Sequence, residues 1–72
     1  METTYSKILS KMSDYKICCR CGCANWYENK VCHNCLNREF KEMDFKWIDE
    51  EYEFYKSEGY SENEIDNLKI NV

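Results

Sequence analysis

Six cysteines are the residues of this 72-residue chain whose type and spacing suggest chemistry. Cys18 and Cys21 form one C-x2-C pair, and ten residues further on Cys32 and Cys35 form a second. A C-x2-C turn places two thiolates on one side of an ion, and zinc takes four such ligands in a tetrahedron at about 2.3 Å each. Gly22 follows the second cysteine, where glycine suits the end of such a turn. The spacing therefore predicts one Zn²⁺ per chain, held by these four cysteines.

Three further groups in the same region could bind a metal or react. Only one residue separates Cys19 from Cys21, and this spacing is poorly suited to placing both sulfurs on a single ion. Cys23 lies two residues past a predicted ligand, and His33 lies inside the second turn. Because four cysteines already complete a tetrahedron, we interpret these three groups as non-ligating. The alternatives are iron in the same cage and a redox role for Cys19 or Cys23, whereas disulfides are typical of exported proteins.

Side chains around the two pairs could contact a ligand. Trp26 and Tyr27 form either the lid of a small metal lobe or an exposed platform on which bases stack. Asn25 either satisfies backbone groups between the two turns or contacts a ligand. The positive charges of Arg20 and Lys30 suit phosphates. These five residues are the candidate ligand contacts.

The segment from residue 17 to residue 36 resembles two related kinds of zinc-binding module. Its pattern C-x2-C-G-x9-C-x2-C is similar to the short zinc ribbons of bacterial, archaeal and viral proteins. Asn25 and Trp26 are also similar to the RanBP2-type zinc finger, in which RNA-binding members stack an aromatic residue after that Asn between bases. Those members have two arginines where this chain has Glu28 and Asn29. The resemblance therefore implies a zinc ribbon with two knuckles, and it implies RNA contact through Trp26 alone.

Apolar periodicity predicts the elements that position the cysteines. Near the N-terminus, residues at helical spacing predict a short helix within residues 1–14. A second stripe predicts a long acidic amphipathic helix over residues 37–58, and we expect its buried positions to be Leu36, Phe40, Met43 and Trp47. Gly59 is expected to end that helix.

A short final helix is predicted over residues 61–70, where Ser61 and Glu64 have the spacing of a capping box. The predicted fold is a single domain over residues 1–72 of the small metal-stabilised α+β class. In it a four-cysteine zinc ribbon over residues 15–36 is flanked by a short N-terminal helix, a long helix and a short final helix.

Charge and hydropathy exclude several classes of protein. Residues 1–35 carry five basic and three acidic residues, whereas residues 36–72 carry five basic and eleven acidic ones. An acidic second half repels phosphate backbones, so the charge disfavours non-specific nucleic-acid binding. No apolar run approaches the roughly 20 residues of a membrane span, and no signal peptide is visible. We therefore expect no membrane partner and an intracellular location, cytoplasmic or, in a eukaryotic cell, nuclear.

These observations favour a zinc protein that is not an enzyme, because four thiolates close the coordination position that a catalytic zinc keeps open. We expect a regulatory protein–protein interaction or adaptor module whose partner has a basic surface. Frequent Lys, Asn, Ile and Tyr suggest an AT-rich, viral genome. The predicted partner surface lies on the long helix and comprises Phe45, Tyr52, Tyr55, Glu50 and Glu53. The alternative function is binding of single-stranded RNA or another nucleic acid through Trp26.

Overall fold

The computed structural model describes all residues from 1 to 72 and has three α-helices and two antiparallel sheets. The strands are β1 (Glu2–Thr4), β2 (Tyr15–Cys18), β3 (Ala24–Trp26), β4 (Phe40–Glu42) and β5 (Lys69–Asn71). The helices are α1 (Tyr5–Ser10), α2 (Phe45–Ser57) and α3 (Glu62–Asp66), and a 3₁₀ turn spans Met12–Asp14. The α+β class predicted from the sequence is confirmed.

The larger sheet has the strand order β3-β2-β4 and positions both cysteine pairs. Ile17, in the central strand, pairs with Ala24 of β3 on one side and with Lys41 of β4 on the other. Since β2 ends at Cys18, the β2–β3 hairpin carries the first pair at its tip. The connection from β3 to β4 contains the second pair. One sheet therefore fixes the distance between the two turns.

The smaller sheet pairs β1 with β5, and Thr3 lies opposite Ile70. Val72 extends from β5 to the larger sheet, where its carbonyl accepts a hydrogen bond of 3.0 Å from the backbone N–H of Trp26. The side-chain amide of Asn29 donates to the same carbonyl. These contacts tie the two sheets together. Neither β1 nor β5 is predicted from the sequence, because a strand of three residues is too short to establish an alternating pattern.

The hydrophobic core lies between the larger sheet and the helices. Its buried members come from every part of the chain and are Ile8, Tyr15, Ile17, Ala24, Met43, Ile48 and Val72. Ile65 of α3 is also fully buried. A core of this size stabilises a 72-residue domain only marginally, so an additional cross-link is expected to contribute.

The N-terminal region differs from the predicted helix over residues 1–14. It is divided into β1, α1 and the 3₁₀ turn. Thr4 caps α1 as its side chain accepts a hydrogen bond from the backbone N–H of Lys7, which ends β1 and starts the helix. Of the apolar residues at helical spacing in this region, Tyr5 and Ile8 are buried, whereas Leu9 is 44% exposed.

The long helix begins at Phe45, so the prediction that it spans residues 37–58 is wrong for its first two turns. Asp44 is the N-cap, and its side chain accepts a hydrogen bond of 2.8 Å from the backbone N–H of Trp47. Leu36, predicted to be buried, is 71% exposed and has a φ of 64°, which no helix allows. Phe40 belongs to β4. The apparent helical spacing before residue 44 therefore arises from a strand and a turn.

The buried face of α2 also differs from the predicted stripe. Met43, just before the helix, is buried as predicted, but Trp47 is only half-buried. Ile48 is the one buried residue of α2. The helix contacts α1 through Tyr5, whose ring centroid lies 5.9 Å from that of Tyr52.

The final segment is a helix followed by a strand, where the sequence predicts one helix over residues 61–70. Ser61 and Glu64 form the predicted capping box, with 3.0 Å from the Ser61 backbone N–H to the Glu64 carboxylate. The helix ends at Asp66, and the residues after it pair with β1. Gly59 has a φ of 97°, which explains why glycine separates α2 from α3. None of the helices combines the length and the apolar character that crossing a membrane requires.

Neighbouring residues of α1 give a direct test of this packing. Ile8 has no exposed surface and Leu9 is 44% exposed, although the two residues lie in the same helical turn. We expect Ile8→Ala to lower the free energy of unfolding by about 2–5 kcal/mol, as for other buried large-to-small changes. Leu9→Ala, the matched control, should cost less than about 1 kcal/mol because little area leaves the core. Urea unfolding of the metal-loaded proteins measures both, and equal losses would contradict the assignment of the buried face.

Candidate metal centre

The four cysteines predicted to bind metal lie together in the structure. Their sulfur atoms are all within 4.8 Å of one another, and all four thiols are free. The Sγ atoms of Cys18 and Cys35 are 3.5 Å apart, as are those of Cys21 and Cys32. In a tetrahedron with metal–sulfur bonds of about 2.3 Å, neighbouring sulfurs are about 3.8 Å apart. The arrangement is therefore suited to one metal ion.

The two cysteine turns have the same backbone conformation. The backbone N–H of Gly22 donates to the carbonyl of Cys18 at 3.0 Å, and the N–H of Leu36 donates to the carbonyl of Cys32 at the same distance. Both donors have a positive φ, 77° for Gly22 and 64° for Leu36. A residue in the left-handed conformation follows each pair, so the two turns are equivalent halves of one cluster of sulfur atoms.

The first sulfur of each pair is buried and accepts hydrogen bonds from its own turn. Cys18 Sγ accepts from the backbone N–H groups of Arg20 at 3.4 Å and of Cys21 at 3.5 Å. Cys32 Sγ accepts from the backbone N–H of Asn34 at 3.4 Å. Such donors stabilise negative charge on sulfur. The folded backbone is thus arranged to hold thiolates.

These hydrogen bonds change the acidity of the two buried thiols. The backbone N–H of Cys21 is the main cause that lowers the pKa of Cys18 to about 6. Burial opposes ionisation of Cys32, but N–H donors from the backbone and from the Asn25 side chain outweigh it and lower that pKa as well. At neutral pH the fold therefore favours the thiolate, metal-binding form of Cys18, and it shifts the pKa of Cys32 in the same direction.

The pKa of Cys35 changes in the opposite direction. The backbone N–H of Asn37 lowers it, but burial and the sulfurs of Cys18, Cys21 and Cys32 raise it to about 12. Four sulfurs so close together cannot all be ionised without a cation among them. A divalent metal ion supplies that charge and deprotonates its thiol ligands outright.

Asn25 is fully buried between the two turns and holds them together. Its carbonyl oxygen accepts from the backbone N–H of His33 at 2.9 Å and from the side chain of Asn29 at 3.1 Å. Its amide nitrogen donates to the carbonyl of Cys23 at 3.2 Å and to Cys32 Sγ at 3.5 Å. The residue therefore satisfies internal groups. Its alternative assignment as a ligand contact is corrected, because none of its surface is exposed.

The three groups interpreted as non-ligating lie outside the cluster of four sulfurs. Cys19 is exposed and Cys23 is half-buried. Burial raises the pKa of Cys23 to about 11, which keeps its thiol protonated. The imidazole Nε2 of His33 lies 3.0 Å from the carbonyl oxygen of Ala24.

The candidate RNA-contact residues differ in their exposure. Trp26 is half-buried and packs edge-to-face on Tyr15, with ring centroids 5.7 Å apart. Its indole N–H donates to the Glu28 carboxylate at 3.2 Å, which places negative charge beside the ring. Tyr27 is 50% exposed. Arg20 and Lys30 are exposed.

The predicted partner surface on α2 divides into two parts. Tyr52 and Tyr55 are half-buried, and each ring centroid lies 5.9 Å from that of Tyr5, so they belong to the contact between α1 and α2. Phe45 is 64% exposed. Glu50 and Glu53 are also exposed. The two tyrosines therefore pack partly against α1, while the other three residues are exposed.

Two contacts to the cysteine turns involve residues that no sequence motif marks. The indole N–H of Trp47 donates to the carbonyl of Gly22 at 2.7 Å and fixes α2 against the first turn. The side-chain amide of Asn37 donates to Cys18 Sγ at 3.7 Å. Asn37, two residues after the second cysteine pair, is only a weak signal in the sequence. The contact between Trp47 and Gly22 joins residues 25 positions apart and leaves no sequence pattern.

A comparison of the chain with protein-family models, curated proteins and solved structures finds no match. The fold and the site therefore define the class by themselves. This is a small α+β protein with a cluster of four cysteines that could hold a metal ion.

The cluster predicts different effects for two serine substitutions. Cys32→Ser removes a buried ligand and should lower metal affinity on the order of a hundredfold or more, because each ligand carries a large share of the binding energy. Cys19→Ser, an exposed residue outside the cluster, is the matched control and should retain one metal ion per chain. Native mass spectrometry counts the ions. Loss of metal from the Cys19→Ser protein would contradict the ligand set.

Glu51 gives a second prediction. Burial, and then the charge of neighbouring Glu50, raise the pKa of Glu51 above the usual range. The folded protein therefore holds that proton more tightly than the unfolded chain does, so stability is lost as the pH rises through the raised pKa. At pH 7 we expect Glu51→Gln to raise the midpoint of thermal unfolding. Glu53→Gln, at an exposed position, should leave it nearly unchanged, and a lower midpoint for Glu51→Gln would contradict the sign.

Proposed function

We propose that this protein is a zinc-binding interaction module with no enzymatic activity. One Zn²⁺ would be held by Cys18, Cys21, Cys32 and Cys35, and the observation that carries this proposal is the close approach of their four sulfurs. When bound, zinc supplies a four-coordinate cross-link between the two turns. Zinc is favoured over iron because structural sites formed by two C-x2-C turns are typically zinc sites.

A zinc-ribbon architecture is supported by the way in which the sheet presents the turns. One pair lies at the tip of the β2–β3 hairpin and the other precedes β4, so both are attached to one antiparallel sheet. The equivalent left-handed residues Gly22 and Leu36 support the interpretation as two knuckles. The closed shell of four thiolates supports a structural role, since a catalytic zinc needs an exchangeable position.

The proposed partner is a protein with a basic surface, bound through α2. Phe45 and Phe54 expose more than half of their surface on this helix, at 64% and 56%. Glu50 and Glu53 are exposed beside them. Exposed aromatic residues among acids suit a partner that brings apolar and basic side chains together. The single-stranded RNA alternative receives less support, because Trp26 is packed on Tyr15 and hydrogen-bonded to an acid.

Charge reversal on α2 tests this proposal. We expect the zinc-loaded protein to bind a fluorescein-labelled lysine-rich peptide in preference to a single-stranded RNA oligonucleotide at about 50 mM salt. Glu50→Lys combined with Glu53→Lys should weaken peptide binding by about tenfold through lost electrostatic attraction. Glu39→Lys with Glu42→Lys, exposed acids near β4, makes the same charge change outside α2 and should weaken it less.

Trp26→Ala distinguishes the two functions. If α2 is the binding surface, this variant keeps its affinity for the peptide as long as it folds and binds zinc. If RNA is the ligand, stacking of each base on Trp26 would contribute about 1–3 kcal/mol of binding free energy. A folded, zinc-loaded Trp26→Ala protein that loses RNA binding, while the α2 reversals keep it, would overturn the proposal.

A further inference from the structure

An open groove of about 700 Å³ lies between the first cysteine turn and α2. Ile17 and Trp47 lie along it, and the turn from Cys18 to Gly22 forms one wall. The hydrogen bond of 2.7 Å from the Trp47 indole to the Gly22 carbonyl holds this wall against the helix. The groove therefore exists only while the cysteine turn keeps its shape.

The helix contributes a single face to the groove. Trp47, Glu50, Glu51 and Phe54 line it, and they recur at the i, i+3, i+4, i+7 spacing of adjacent helical positions. Phe54 is 56% exposed, so an aromatic ring is available at the outer end. Trp47 is half-buried and held in place by its hydrogen bond. This face thus combines two aromatic rings with two carboxylates.

The two walls of the groove have opposite charge. Glu50 and Glu51 are adjacent on α2, and burial followed by the charge of Glu50 raises the pKa of Glu51. A half-buried carboxylate beside a second one is stabilised by a cation. Arg20 and Lys41 line the opposite wall and are exposed. The groove therefore offers carboxylates on the α2 side and positive side chains on the other side.

We infer that this groove binds a lysine or arginine side chain from an extended segment of a partner protein. Aromatic faces attract such cations, and carboxylates form charge-assisted hydrogen bonds with them. The aliphatic stem of either side chain can cover the accessible part of Trp47 while its charged head reaches the carboxylates. The inference rests on the proposed interaction with a basic protein and assigns the place where a basic residue enters.

Amino-acid amides of matched size test the inference. We propose to titrate the ¹⁵N-labelled, zinc-loaded protein with Nα-acetyl-lysine amide and, separately, with Nα-acetyl-norleucine amide, which has an aliphatic side chain without the charge. The Trp47 indole N–H lies in the groove and serves as the reporter resonance. Lysine amide should shift this resonance and the backbone resonances of Gly22 and Phe54, with at least about tenfold higher affinity than norleucine amide. Equal affinity of the two amides would overturn the inference.

Neutral substitutions locate the binding site. Glu50→Gln with Glu51→Gln should weaken lysine-amide binding by about tenfold or more. Glu39→Gln with Glu42→Gln removes the same charge at exposed positions outside α2 and should leave binding unchanged. Resonance shifts on the Phe45 side of α2, or an unchanged affinity of the Glu50→Gln, Glu51→Gln variant, would overturn the assignment of binding to the groove. Either result would leave the proposed function in place. Failure of the zinc-loaded protein to bind any basic probe would overturn both.

Discussion

Four cysteine sulfurs within 4.8 Å of one another repel each other strongly once they ionise, and this repulsion is the constraint on which the structure depends. The backbone donors around Cys18 and Cys32 favour charge on two sulfurs, while the pKa of Cys35 is raised to about 12 by its surroundings. A divalent cation bound by the four sulfurs would resolve this conflict. A metal bound here would contribute a large share of the folding free energy, because structural zinc sites supply about 10–16 kcal/mol, whereas a small core supplies about 3–5 kcal/mol. Only 13 of 72 residues are buried, so the metal is the expected main source of stability.

The contacts of the two turns extend this constraint to the rest of the chain. The first turn holds α2 through the hydrogen bond between Trp47 and Gly22, and the second turn is joined to the β2–β3 hairpin through Asn25. Val72 connects the smaller sheet to β3 by accepting from Trp26. Loss of the metal would therefore affect both the sheet and the groove on α2. In the proposed function, zinc does no chemistry, and its contribution is the fixed shape of a surface that a partner recognises.

The parts of this fold that could be predicted from the sequence are those set by local spacing. Two C-x2-C pairs indicated the cluster, and the capping box at Ser61 indicated the start of α3, because each depends on residues a few positions apart. The predicted start of α2 is wrong, because Leu36 and Phe40 match a helical period by coincidence. Leu36 follows a cysteine turn and Phe40 lies in a strand. The pairing of β1 with β5 and the contact of Trp47 join residues distant in sequence. Such contacts depend on the completed fold and leave no local pattern.

We expect metal binding and folding to form a single equilibrium, and a cobalt titration of the metal-free protein measures whether they do. Cobalt(II) added to the reduced, metal-free protein reports tetrahedral thiolate coordination by its visible absorption, while near-ultraviolet circular dichroism of the tryptophans and tyrosines reports tertiary packing. Both signals should rise together and saturate at one equivalent per chain, because the binding free energy is the folding free energy. Full aromatic dichroism before any metal is added would contradict it, as would saturation at two equivalents.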